Sequence, residues 1–320
     1  MPDPVLLSLG SVNADFQVRV DRAPGTGSTL TGSGFVRLGG GKAANRAVCA
    51  QRLGVSSALL GRVGDDELRE QALAPLRRAG LNLDAVSVAP GQATGVAMIA
   101  VLPDGRKCIV LAAHANGDWD AAAEEAAASA IAAAPAGSVL ALDCEVPAGV
   151  LARAVAAARG AGLDVVVDPS PPGRAPPEAV AKMAAITPNP EETEALTGIA
   201  VDGPDAAAKA AERLLELGAG LACVKLADGG CVAAWAGGAC HVPPLPVQPV
   251  DSTGAGDAFA AALAVALMEH RPQAEAAMFA VAASSLAVTA YGPQPAYAER
   301  GRVEAALPSF AARLRPLARA

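Results

Sequence analysis

The sequence predicts an α/β protein with a mostly parallel central sheet and a small β-sheet appendage. Short apolar runs alternate with alanine-rich helical stretches, the order expected of βαβ units. The runs are apolar almost throughout, as in parallel strands covered on both faces. Two strand-like regions, 16–37 and 94–112, interrupt the alternation and carry no core of their own.

Strands are predicted in order at "VLLSLG" (5–10), "SALLG" (57–61), "SVLALD" (138–143), "DVVVD" (164–168), "AAIT" (184–187) and "LACVKL" (221–226). Helices are predicted at 42–53, 66–79, 120–134, 147–160, 176–183 and 204–217. After residue 254 the chain reads as helical to its end, over 254–269, 272–289 and 299–317. The motif "PDG" (103–105) marks a hairpin turn in the second irregular region. The large domain is therefore expected over 1–15, 38–93 and 113–320, with 16–37 and 94–112 forming a β lid over a site.

The 320 residues are 52% hydrophobic, enough for a large core, and the net charge is −7. No lysine or arginine block occurs, so neither nucleic acid nor an anionic membrane surface is an expected partner. The start "MPDPVLLSLG" has no basic lead and only a short apolar run, which argues against a signal peptide or anchor and for a cytoplasmic location. The six cysteines lack CxxC spacing and read as reduced core residues.

Four segments carry candidate chemistry. In "LGGGKAANRA", Gly39, Gly40 and Gly41 permit close backbone approach before a helix, while Lys42 and Asn45 offer polar contacts. A Walker loop is excluded, because Val36 stands at its first glycine and Ala43 at its hydroxyl position. A spaced GxGxxG is also absent after the first strand, which weighs against a dehydrogenase. Asn13 and Asp15 follow the first strand, where an amide and a carboxylate suit diol recognition or an ordinary Asx turn. Glu145, ending the strand "LALDCE", is a further carboxylate at a strand end.

In "DSTGAGD", Gly254, Ala255 and Gly256 present amides at a helix start, a natural anion site. Asp257 then either complements the helix dipole or takes a proton from a hydroxyl attacking an anion held there. In "NPEETEALTG", Asn189 and Glu192 suit water-mediated Mg²⁺ or an ordinary acidic helix start. The histidines, His114, His241 and His270, are far apart in sequence and read as structural.

Together "SVNAD", "GGKAANRA", "TGVAMI", "HANG", "NPEETEALTG", "DSTGAGDAFAAALA" and "AVTAYGPQP" resemble, in order and over nearly the whole chain, the ribokinase-like (PfkB) carbohydrate kinases. The resemblance implies a three-layer α/β/α fold and ATP-dependent transfer of a phosphoryl group to a primary sugar hydroxyl. Ribose leads as acceptor, followed by fructose, 2-keto-3-deoxygluconate or a nucleoside; a non-catalytic sugar or nucleotide sensor is the alternative of another class. It further implies that Asp257 is the base and that Gly254, Ala255 and Gly256 form the anion hole. Asn13, Asp15, Gly40, Gly41, Lys42, Asn45 and Glu145 would line the sugar site. Asn189 and Glu192 would serve Mg²⁺ and the phosphates, and Lys225, Ala227 and Gly230 the nucleotide. Asp251, Thr253 and Gly292 would surround a monovalent cation, K⁺, and the lid would pair two subunits into a homodimer. Ala43, His114, Lys225, Ala227 and Tyr291 depart from the family pattern, bearing on sugar and nucleotide preference.

Overall fold

The computed structural model describes residues 2–27, 29–175 and 181–317. Strand β1 (Leu6–Leu9) opens a large sheet, and the chain then leaves it for β2 (Asn13–Arg19) and β3 (Ser33–Gly40). It returns through α1 (Lys42–Arg52), β4 (Ser57–Gly64), α2 (Leu68–Arg78) and β5 (Val86–Ala89). A second excursion forms the hairpin of β6 (Gly95–Val101) and β7 (Lys107–Ala112). Next come α3 (Ala121–Ala132), β8 (Val139–Asp143), α4 (Ala148–Gly160), β9 (Asp164–Asp168) and β10 (Ala185–Ile186). They are followed by α5 (Pro190–Thr197), α6 (Pro204–Glu216), β11 (Leu221–Lys225), β12 (Cys231–Trp235) and β13 (Gly238–Val242). The chain closes with α7 (Ala255–Met268), α8 (Gln273–Ala287), α9 (Pro293–Ala296), α10 (Arg300–Ala306) and β14 (Arg315–Leu317).

The large sheet has ten strands in the order β14-β13-β12-β11-β10-β9-β8-β1-β4-β5. Its pairings from β5 to β11 are parallel, and β11 to β14 pair antiparallel. The second sheet has four strands, β3-β2-β6-β7, with β2 and β6 parallel and the outer pairs antiparallel. β8 is buried at every residue, which its sequence "VLALD" permits because helices cover both faces. One core joins α1, α2, α7 and α8 to one face of the sheet; a second joins α3, α4 and α6 to the other. The result is a three-layer α/β/α fold. Alanines along α7 and α8 let the two helices pack closely and bury α7 continuously from Asp257 to Ala266.

The end of the chain differs from the expected helix over 299–317. α10 stops at Ala306, Leu307–Phe310 form a 3₁₀ turn, and β14 adds an edge strand. Pro308 and Pro316 explain it: neither supplies the donor a continuing helix needs, while an edge strand tolerates proline. The helix expected at 176–183 falls largely on 176–180, outside the described residues, and 181–182 form a turn. The hairpin β12–β13 and the short β5 were not anticipated. No helix of the described residues is long and apolar enough to cross a membrane.

Candidate active site

A buried ion pair fixes the frame of the site. Arg46 on α1 donates to Asp143 at the end of β8 (2.8 Å) and to the Leu9 carbonyl of β1 (2.9 Å). Both side chains of the pair are fully buried, so removing either would strand a charge. With α1 held there, Lys42 and Asn45 on its first turns border a cavity of about 660 Å³ beyond the ends of the parallel strands.

Of the residues singled out in sequence, Asn13, Asp15, Gly41, Lys42, Asn45, Glu145, Asn189, Glu192, Lys225, Gly230, Thr253, Gly254, Ala255, Gly256 and Asp257 line this cavity. Gly40 sits just behind the lining, where a Cβ would stand 2.0 Å from Asp15 Oδ2. Its absence is what lets Asp15 occupy that place. Asp251 and Gly292 lie behind the 253–257 loop, and Ala227 is exposed in the turn after β11, outside the lining. Glu145 stands two residues past β8 rather than at its last position.

Gly254 begins α7 with φ of 75°, and a Cβ there would meet the Tyr297 hydroxyl at 2.5 Å. Glycine is therefore needed twice over, for conformation and for space. The Ala255 amide closes a turn onto the Ser252 carbonyl at 3.3 Å. Among the described residues, the amides of Gly254, Gly256 and Asp257 make no hydrogen bond. Unengaged amides at a helix N-terminus form an anion site. Asp257, 5% exposed, lies beside them. Its Oδ2 accepts from Asn45 Nδ2 (2.8 Å), and Lys42 Nζ is 4.0 Å from its Oδ1. Asn45 is itself oriented, because Gln294 Nε2 donates to its Oδ1 (3.2 Å).

Among the further carboxylates bordering the same space, Asp15, Glu145, Asp168 and Glu192 divide into two groups. Asp15 is buried, its Oδ1 has no partner, and burial together with the charges of Asp257 and Glu145 holds its pKa well above the carboxylate range. Burial likewise pushes Glu145 up to about 7, against the pull of Lys42. Such carboxyls favour hydrogen-bonded hydroxyls over bulk water. Nearby, Asn116 Nδ2 donates to Asn13 Oδ1 (2.8 Å), leaving a polar cluster at this end.

At the other end, Asp168 at the tip of β9 accepts from Lys225 Nζ (2.9 Å) and lies 3.9 Å from Lys42 Nζ. Burial opposes its charge, but Lys225, Lys42 and Arg46 outweigh burial and lower its pKa. Lys225 Nζ also lies 3.4 Å from where a Gly256 Cβ would stand, at the start of α7.

Asn189 and Glu192 form a reciprocal capping box: Asn189 Oδ1 accepts from the Glu192 amide (2.9 Å), and Glu192 Oε2 from the Asn189 amide (2.8 Å). The ordinary helix-start reading thus describes their local geometry. Glu192 nonetheless lines the cavity, and burial raises its pKa, with Lys225 opposing and Asp168 adding. No group of three metal-ligating side chains occurs among the described residues. These residues fit a Mg²⁺ held chiefly by water and phosphate oxygens, with Glu192 near it.

Behind the loop, Asp251 Oδ1 accepts from the Thr253 amide (2.9 Å), and Oδ2 accepts from the Gly292 amide (2.9 Å) and Gln17 Nε2 (2.6 Å). Thr253 Oγ1 is buried without a partner. An orphaned buried oxygen two residues from the Asp251 carboxylate fits a monovalent cation, which takes oxygen ligands.

Sequence reasoning missed Asp168, Lys107, Asn116, Gln17 and Gln294. Asp168 ends an apolar run just as Glu145 follows one, so the same strand-end argument would have found it. A larger groove of about 770 Å³ lies between α1, α2 and β3. Its charged groups, such as Arg52 paired with Glu299, are largely exposed, and it does not reach the free amides.

A model of the pfkB family of carbohydrate kinases matches residues 4–300. The ribokinase of Haemophilus influenzae is 31% identical over 289 residues, covering 90% of this chain and 94% of that protein. The deoxyribokinase of Salmonella typhi is 30% identical over 295 residues, with 90% and 94% covered. A solved structure of Arabidopsis thaliana ribokinase complexed with ribose and ATP has a TM-score of 0.81 at 30% identity, covering 96% of this chain and 99% of that one. These matches span both sheets and every loop that builds the cavity: the chain belongs to the pfkB family of carbohydrate kinases.

Proposed function

We propose that this protein transfers the γ-phosphoryl group of ATP to the primary hydroxyl of ribose, giving ribose 5-phosphate and ADP. The observation that carries this reading is the pairing at the start of α7: a buried carboxylate, Asp257, beside three unengaged amides. The amides would hold the phosphoryl oxygens while Asp257 takes the proton of the attacking hydroxyl. The new bond joins sugar oxygen to phosphorus, the bond from phosphorus to the ADP oxygen breaks, and the proton ends on Asp257. Asn45 and Lys42 hold Asp257 in place, and Lys42 and Lys225 neutralise charge on the phosphates. Asn13, Asp15, Gly41 and Glu145 would bind the sugar hydroxyls. Mg²⁺ near Glu192 would supply further charge neutralisation, and K⁺ near Asp251, Thr253 and Gly292 would order the loop.

Support for ribose comes from the ribokinase relatives, and from a polar end of the cavity where Asn13, Asp15 and Glu145 offer hydrogen-bond partners to hydroxyls. Among the described residues, Phe259 is the only aromatic one on its wall, so a nucleoside is disfavoured. The deoxyribokinase relative makes 2-deoxyribose the second reading. The small sheet would act as the lid and, through its exposed apolar side chains, as the contact of a homodimer. Six unpaired cysteines suit a reducing, cytoplasmic setting.

An ADP-release screen over ribose, 2-deoxyribose, fructose, 2-keto-3-deoxygluconate and nucleosides tests the reading, with the product's phosphorylated position assigned by ³¹P NMR. Ribose is expected to give the highest kcat/KM and a 5-phosphate. A hexose, a keto-acid or a nucleoside at the top would overturn it.

A further inference from the structure

The small sheet does more than cover the cavity: it brings a cation to it. Lys107 is the first residue of β7, directly after the turn at 102–106. That turn is fastened to the loop preceding α7, since the Ser252 amide donates to the Gly105 carbonyl (2.9 Å). Lys107 Nζ adds a second tie, donating to the Ser252 carbonyl (2.8 Å). Its ammonium therefore lies two residues from Gly254, on the cavity wall shared with the unengaged amides.

What sets Lys107 apart is the absence of a counter-ion. Lys42 lies near Asp168 and Asp257, and Lys225 is paired with Asp168. Among the described residues, Lys107 forms no ion pair, and its one acceptor is a neutral carbonyl. Burial, followed by the positive charge of Lys42, pushes its pKa down to about 8, with Asp257 and Asp251 pulling upward and Lys225 downward. An ammonium has three donors and a strong need for negative charge when it is withdrawn from water. Two of its donors remain for a ligand, and the cavity is where an anion would reach them. A pin that only held the hairpin would need no charge, because a neutral donor also bonds a carbonyl and avoids the cost of withdrawing an unpaired charge from water.

Resting on the reading of the cavity as a phosphotransfer site, we propose that Lys107 is a catalytic residue that contacts the transferring phosphoryl oxygens. It closes the anion cradle from the side of the small sheet. Docking of the β6–β7 hairpin and completion of the charge-stabilising set become one event, so an ATP bound without the hairpin docked would lack part of its catalytic machinery.

The test compares wild type with Lys107→Met, Lys107→Gln and Lys107→Arg in ribose phosphorylation. Affinities for ADP, for ribose, and for ribose with ADP and aluminium fluoride are measured alongside. Glutamine keeps an N–H donor for the Ser252 carbonyl but no charge; arginine keeps the charge. Lys107→Met and Lys107→Gln are both expected to lower kcat by about 10²-fold, the loss typical of removing one charge-stabilising donor. Affinity for the aluminium fluoride complex should fall by a similar factor, with ADP and ribose alone binding as in wild type. Lys107→Arg is expected to recover most of the rate. The proposal is overturned if Lys107→Gln keeps wild-type kcat, or if the losses lie only in KM with the aluminium fluoride complex bound normally. Wild type inactive on every sugar would instead remove the phosphotransfer reading itself.

Discussion

At the scale of single residues, the site separates carboxyls that repel one another from those that are paired. Glu145 belongs to the first kind: burial lifts its pKa from 4.5 to about 7 although Lys42 pulls the other way. A carboxyl that binds its proton more tightly folded than unfolded stabilises the fold fully below about 4.5, and the contribution is lost as pH rises through about 7. Stability of the ligand-free protein should accordingly fall across that window. Glu145→Gln, neutral throughout, should flatten the fall when urea midpoints are measured from pH 4.5 to 8. An unchanged pH dependence would mean that Glu145 is ionised freely. This environment could not be read from sequence, since beside the neighbouring Asp143 it depends on Ser11 and Lys42, which arrive from separate segments.

Elements explain why the residues meet. α1 is anchored by Arg46 and α7 begins at a left-handed glycine; the two helices pack together, bringing Asn45 to Asp257. Asp251 performs the same service for the loop before α7, gathering Gln17 of β2, the Gly292 amide and the Thr253 amide. Asp251→Ala would leave these buried donors without their acceptor. At about 1–3 kcal/mol per stranded group, a loss of at least about 3 kcal/mol is expected, read as a lower urea midpoint; a change below 1 kcal/mol would show that water or a shifted loop satisfies them.

Much of this level was legible in advance. The parallel strands announced themselves as apolar runs, and "GGGK" and "GAGD" marked the starts of α1 and α7. β12 and β13 were not, because "CVAAWAGGACHV" is rich in small residues and has weak periodicity. Lys107 was silent for a different reason: only the docking of the hairpin on Ser252 gives it meaning.

For the whole molecule, the two sheets meet at the cavity, so that the end proposed for the sugar is built from β2 and the end proposed for the phosphoryl group from α7. On the face of the small sheet turned away from the cavity, Phe35 and Val110 are each 61% exposed and Met98, paired with Val110, is 53% exposed. An apolar face of this kind marks an interaction surface. A homodimer through it predicts that Val110→Asp shifts the sedimentation equilibrium toward monomer and raises the KM for the sugar. A wild-type monomer at all concentrations would refute that arrangement.

The central claim is that Asp257 is the base that works beside the amide cradle. The most direct measurement is turnover of Asp257→Asn with ribose and ATP, together with ribose affinity by calorimetry. The account predicts a folded protein that binds ribose nearly as wild type and loses at least about 10² in kcat. Near-normal phosphorylation by this variant would contradict it.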